Sequence, residues 1–176
     1  MAKPGRKARP NVARYANGRI LRAERGERPE AIMAVALAQP HRRGERSYMA
    51  GFAVGRLRLG GMIDERQYQA AEIYTKRAVR YMAHVTGSLP RFPSLFATML
   101  GTFSGGSGGP PDDDAIASIR SQFRELQDAL ADAGLHHEGN SILARVCIMD
   151  KDIEDHAAMG TFRSALNVIA HRLRLP

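Results

Sequence analysis

The sequence predicts an all-α protein: two small helical units joined by a Gly/Ser/Pro linker, behind a basic N-terminal arm expected to be disordered. Three observations carry this. Apolar residues recur at three- and four-residue spacing over 68–85, 116–133 and 162–173, which places them on one face of a helix. Ser104–Pro111 consists of Gly, Ser and Pro, a composition that is flexible and then stiff. The formal charge of +8 sits at the front: residues 1–47 hold 12 Lys and Arg against 4 Asp and Glu, whereas residues 48–176 hold 14 of each. The expected divisions are an arm over 1–29, an N-terminal helical unit over 30–101, a linker over 102–111 and a three-helix unit over 112–176.

Residues 1–29 have no sustained apolar face, and Pro4, Gly5, Pro10, Gly18, Gly26 and Pro29 interrupt any helix. Pro29 then suits the first turn of a helix over Glu30–Ala38, with Glu30 at the positive end of its dipole. Ile32, Met33, Val35, Ala36 and Leu37 make that helix apolar nearly all round, so it is expected to be buried. Pro40 ends it, and His41–Arg46 is a basic connector.

Met49–Val85 reads as helix, tight turn, helix. Met49, Phe52, Ala53, Leu57 and Leu59 supply the first apolar face, and Gly60-Gly61 stops it because glycine enters left-handed backbone conformations cheaply. Asp64 is the expected N-cap of the second helix, with Gln67 closing a capping box. Tyr68, Ala71, Tyr74, Ala78, Tyr81 and Val85 share its inner face, and Thr86-Gly87 ends it. Two helices around a glycine turn invite a helix-turn-helix reading. The register speaks against it: the positions around Gly60-Gly61 that should be small and apolar hold Leu57 and Gln67, or Arg56 and Arg66. Asp64-Glu65 would also face phosphates badly, and the tyrosines suit a core better than base stacking. An ordinary helical hairpin is the stronger expectation.

Leu95, Phe96, Met99, Leu100 and Phe103 suit one or two turns packed on that hairpin. Asp112-Asp113-Asp114 opens a helix running to about Ala133, with Ile116, Ile119, Phe123, Leu126 and Leu130 inward and Gly134 as its stop. Asn140-Ser141 is read as the cap of Ile142–Met149, and Thr161 as the cap of Phe162–Leu173.

The order of features resembles small basic proteins of alphaproteobacterial phages and prophages. The residues that carry it are Pro4-Gly5-Arg6-Lys7, Ala36-Leu37-Ala38-Gln39-Pro40-His41-Arg42-Arg43, and Gly55-Arg56-Leu57-Arg58-Leu59 through Gln67-Tyr68-Gln69-Ala70-Ala71, within residues 1–85. The resemblance implies phage-type work on DNA and no particular activity.

A lone Cys147, in the apolar run Ile142–Met149, excludes an internal disulfide and suits a buried structural thiol. No signal-peptide-like segment and no apolar run of about 18 residues is present, so a reducing, cytoplasmic setting without membrane insertion is expected. The dinucleotide, phosphate-loop, nucleophile-elbow and zincin patterns are absent, and neither a cofactor, a small-molecule substrate nor catalytic residues are indicated. The densest acidic cluster, Asp150, Asp152, Glu154, Asp155 and His156, resembles the start of a calcium loop, but Asp155 and Thr161 stand where that loop needs Gly and Glu. Paired carboxylates with His156 could hold magnesium in a nuclease; an acidic inter-helix loop is the stronger reading. His136-His137-Glu138 is expected to be exposed or to cap the preceding helix.

The charge asymmetry points to a polyanionic partner, nucleic acid before membrane. The phosphate-contacting candidates are Lys3, Arg6, Lys7, Arg9, Arg14 and Arg19 in the arm, and Arg42, Arg43 and Arg46 in the connector. The arm is similar to those that place Arg in narrow minor grooves, although the Gly-Arg-Pro core of an AT-hook is missing. The expected function is therefore non-enzymatic DNA binding by a protein free to homo-oligomerise. The competing expectation is a protein-interaction or structural helical protein whose basic tail adds solubility.

Overall fold

A computed structural model describes residues 34–35, 37–42, 44–90, 93–100 and 111–176. The chain divides into two compact units, Met1–Gly44 and Glu45–Pro176. In the first, residues 34, 35 and 37 are helical and a 3-10 turn covers Pro40–Arg42. Val35, expected to be buried, is 66% exposed. Apolar residues on every side of a helix leave unspecified which side is to be covered.

The unit Glu45–Pro176 is all-helical among its described residues. A 3-10 turn at Tyr48–Gly51 leads into α1 (Ala53–Leu59). The central α2 (Glu65–Tyr81) is prolonged by a π turn, Met82–Thr86, up to Gly87 at φ 62°. The short α3 (Leu95–Met99) follows, then α4 (Asp113–Asp132), α5 (His136–Leu143) with its own π turn at Ala144–Ile148, and α6 (His156–Arg172).

Local chemistry sets the boundaries of α1 and α2. After α1, Gly61 at φ 65° lets its own N–H reach the Arg58 carbonyl and the Met62 N–H reach that of Leu57, a Schellman motif. The expected capping box then starts α2: Asp64 Oδ1 accepts from the Gln67 N–H at 2.7 Å, and Gln67 Oε1 accepts from the Asp64 N–H at 3.1 Å. Gly134, at φ 73°, stops α4 in the same Schellman manner through Leu130 and Ala131.

Two helix starts differ from expectation. α5 begins at His136 rather than at Ile142, without a side-chain cap. α6 begins at His156 because the Asp155 carboxylate accepts the Ala158 N–H at 2.6 Å. Thr161 is therefore an interior residue of α6 rather than its cap.

The expected boundary at 102–111 does not separate two cores. α2 packs most extensively against α6 and α4, and also against α3 and the π turn of α5. Phe52, Tyr74 and Phe96 from before that stretch share one apolar cluster with Leu126, Leu143, Phe162 and Ile169 from after it. The physical reason lies in α2, whose buried residues Tyr68, Ala70, Ala71, Tyr74, Thr75, Ala78 and Val79 cover more of the helix than one neighbour can occupy. Ring contacts tie the parts together: Phe52 stacks on Phe96 at 4.9 Å, and Tyr81 meets Phe123 at 4.7 Å. No helix among the described residues is long and apolar enough to cross a membrane.

Candidate nucleic-acid interface

Of the nine cations singled out from the sequence, Lys3, Arg6, Lys7, Arg9, Arg14, Arg19 and Arg43 lie outside the described residues. Arg42 is half-buried at the end of its 3-10 turn, where its N–H bonds the Gln39 carbonyl at 2.9 Å, and it belongs to the unit Met1–Gly44. Arg46 is exposed at the start of the unit Glu45–Pro176. Its neighbour Glu45 turns its carboxylate onto the Ser47 N–H at 3.0 Å, helping to fix the turn that precedes α1.

The acidic cluster at 150–156 is held by structural partners. Asp150 stands in the left-handed region at φ 57°, a conformation that aspartate tolerates better than most residues. From there its carboxylate accepts the Ala53 N–H at 2.5 Å, 97 residues away in sequence. It thus caps α1, whose own N-cap, Phe52, offers no side-chain acceptor. Asp152 Oδ1 takes Arg56 Nε at 3.1 Å and Nη2 at 2.8 Å, while Arg56 Nη1 donates to the Ala50 carbonyl at 3.3 Å. Asp155 caps α6. These side chains are spread over three tasks, and no group of three His, Cys, Asp or Glu among the described residues is placed to hold a metal ion.

Cys147 is fully buried, and burial pushes its thiol up to about 12. At neutral pH it is therefore neither accessible nor ionised. A thiol reagent should leave the native chain unmodified and label it stoichiometrically in urea; rapid native labelling would contradict the packing described. The sign with pH follows from the same shift. Below the unfolded value of 9.0 both states keep the proton; above it only the unfolded chain releases it, so this contribution to stability falls as pH rises towards 12.

A groove of about 470 Å³ between α4 and α6 is lined by Ala129, Asp132, Asn167 and His171 among others. Arg172 on its rim is already paired with Glu125 at 3.3 Å, and no hydrogen bond or ion pair joins Asp132 to His171 among the described residues.

Compared with protein-family models, with curated proteins and with solved structures, the chain matches none.

The other described cations of the folded unit are paired or free, and Arg120, Arg124, Arg145, Lys151 and Arg174 are exposed with neither a side-chain hydrogen bond nor an ion pair among the described residues. Arg56, Arg58, Arg77 and Arg172 pair with carboxylates, and Arg163 donates to the Met62 carbonyl. Arg66, Lys76 and Arg80 are exposed on α2 and have neither a hydrogen bond nor an ion pair among the described residues. The sequence already places Lys76 and Arg80 around the apolar stripe of α2, but the stripe alone does not single out these three as phosphate contacts. Their spacings of ten and four residues would have placed them together on its opposite side.

Proposed function

We propose that this chain is a non-enzymatic, phage- or prophage-type DNA-binding accessory protein of the cytoplasm. Its two concrete forms are a small terminase-like DNA-recognition subunit and a transcription regulator. One observation carries the reading: the division of charge coincides with the division into units. Met1–Gly44 holds 11 Lys and Arg against 3 Asp and Glu, the entire formal excess of +8, while Glu45–Pro176 holds 15 of each. A segment with such a surplus, attached to a neutral body with its own core, is suited to neutralising phosphates and releasing their counterions. The α1–α2 hairpin does not read bases as a helix-turn-helix in this scheme, because the apolar side of α2 is covered by α4, α6 and α3.

The test is a fluorescence-anisotropy titration of a labelled duplex over a salt series, with the full chain and with a chain lacking residues 1–29. Removal should weaken binding about tenfold or more at low salt, and should flatten the slope of log K against log salt by roughly 0.9 for each phosphate no longer neutralised. Undetectable affinity at low salt, or affinity unchanged by the removal, would sink the reading and leave a protein-interaction role with a solubilising tail. Light scattering separates the two forms: a ring fits the terminase-like subunit, a dimer or monomer the regulator.

A further inference from the structure

We propose that the solvent face of α2 is a second phosphate-contacting surface, in which Arg66, Lys76 and Arg80 bind the backbone of duplex nucleic acid. The inference rests on the DNA-binding reading above and adds to it a site on the folded body.

Three features favour this surface over an ordinary solvated helix face. The first is clustering: Arg120, Arg124, Arg145, Lys151 and Arg174 are also exposed without an ion pair, but among the described helices α2 alone carries three such cations on one side. The cations beside these three are engaged: Arg58 with Glu65 at 3.1 Å, and Arg77 with Glu125 at 3.0 Å and with the Gln122 carbonyl at 3.0 Å. Arg66, Lys76 and Arg80 are left with their charge directed at solvent. Glu72 stands one turn before Lys76, the favoured order for a helical ion pair, yet no ion pair joins them among the described residues. Glu72 is half-buried, and its pKa is raised by burial first and by Glu65 second.

The second feature is rigidity. α2 is held on its other sides by α4, α6 and α3, and its N-terminus is fixed by the capping box. Cations on such a helix keep their spacing, so binding need not order the backbone that carries them.

The third is dimension and surface character. Ten residues of helix place Arg66 about 15 Å from Lys76, and four more place Arg80 about 6 Å further on. The first interval compares with the roughly 12 Å width of a major groove, so the two ends of α2 can meet phosphates on either side of it. Between them stand Gln69 and Ile73, both half-buried. No aromatic ring is exposed along this side of α2, as a surface for stacking unpaired bases would require.

The test compares three full-length chains on one labelled duplex over a salt series: the unaltered protein, Lys76→Gln/Arg80→Gln, and Arg145→Gln/Lys151→Gln. The last pair removes the same charge from exposed residues elsewhere on the body, Arg145 within the π turn of α5 and Lys151 just after it. The α2 variant should bind roughly tenfold more weakly at low salt, with a slope flatter by about 1.8, while the control pair keeps the parental slope. Thermal unfolding at the parental temperature checks the fold; should the pair lower it, the single Lys76→Gln change is read instead, with an expected flattening of about 0.9. If the unaltered chain binds and the α2 variant matches it, or both variants weaken equally, this surface is overturned and the arm reading stands. If the unaltered chain does not bind at all, both are overturned.

Discussion

Gly55→Ala should cost about 3 kcal/mol or more, among the largest losses available to a single methyl group in this fold. A Cβ on Gly55 would overlap the Met49 carbonyl oxygen and lie 2.7 Å from both the Met49 carbonyl carbon and Phe52 Cε2. The two Met49 atoms are backbone in the 3-10 turn Tyr48–Gly51, which crosses α1 at this point. The third atom belongs to a ring with no exposed surface, stacked on Phe96. Neither neighbour can step aside without opening the core. Alanine is the better helix former by about 1 kcal/mol, so propensity alone would predict a gain, and the two terms have opposite signs. Steric overlap should win. The midpoint of thermal unfolding should fall by roughly 10 °C, at about 2–4 °C per kcal/mol for a chain of this size. An unchanged or raised midpoint would show that the turn does not press on α1 as described.

The same neighbourhood shows what was legible in the sequence. Gly60-Gly61, the Asp64–Gln67 box and the Gly134 stop are local devices: donor, acceptor and permissive backbone lie within a few residues, and each was readable in order. The inward faces of α2, α4 and α6 follow from spacing alone, with Tyr74, Leu126, Phe162 and Ile169 buried. The joining of the two expected units could not be read. A Gly/Ser/Pro stretch permits a domain boundary but does not compel one, and nothing in the order of residues says that α2 presents apolar surface to helices on both sides of it. Asp150 is the sharper case. Its acidic surroundings suggested a loop or a metal site, whereas its actual partners are an amide N–H 97 residues away and Arg56, at 3.8 Å. Thr161 and Asp155 are both competent caps, and spacing counted back from Phe162 favoured the wrong one. Met159, buried on an earlier turn of α6, extends that face towards Asp155. Of the proposed interface, the arm was visible because its charge is unbalanced. The α2 cations were hidden by the acids interleaved with them, which cancel in any count along the chain and separate only when sorted by partner.

Ser94→Ala should lower stability by roughly 2–4 kcal/mol, because one buried hydroxyl serves two helix ends. The π turn Ala144–Ile148 finishes α5 inside the core, where the carbonyls of a helix end lack intrahelical donors. Ser94 supplies them: its N–H reaches the Ile148 carbonyl at 2.7 Å, and its hydroxyl reaches that of Cys147 at 2.7 Å. The same hydroxyl oxygen accepts the Ala97 N–H at 3.0 Å and so caps α3. Only 4% of the residue is exposed, so water cannot replace it. Alanine keeps the backbone bond but removes both the donor to the Cys147 carbonyl and the side-chain cap on the Ala97 N–H, and the burial of those two groups is then no longer offset. Ser94→Thr retains the hydroxyl and should recover most of the loss, which separates the hydrogen bonds from simple packing. Urea unfolding of the three chains measures the differences. Because Cys147 lies at the weakened joint, its reaction with a thiol reagent should also quicken in the alanine variant and not in the threonine one. An alanine variant as stable as the parent, or a threonine variant no better than alanine, would mean that the end of α5 is held by something other than Ser94.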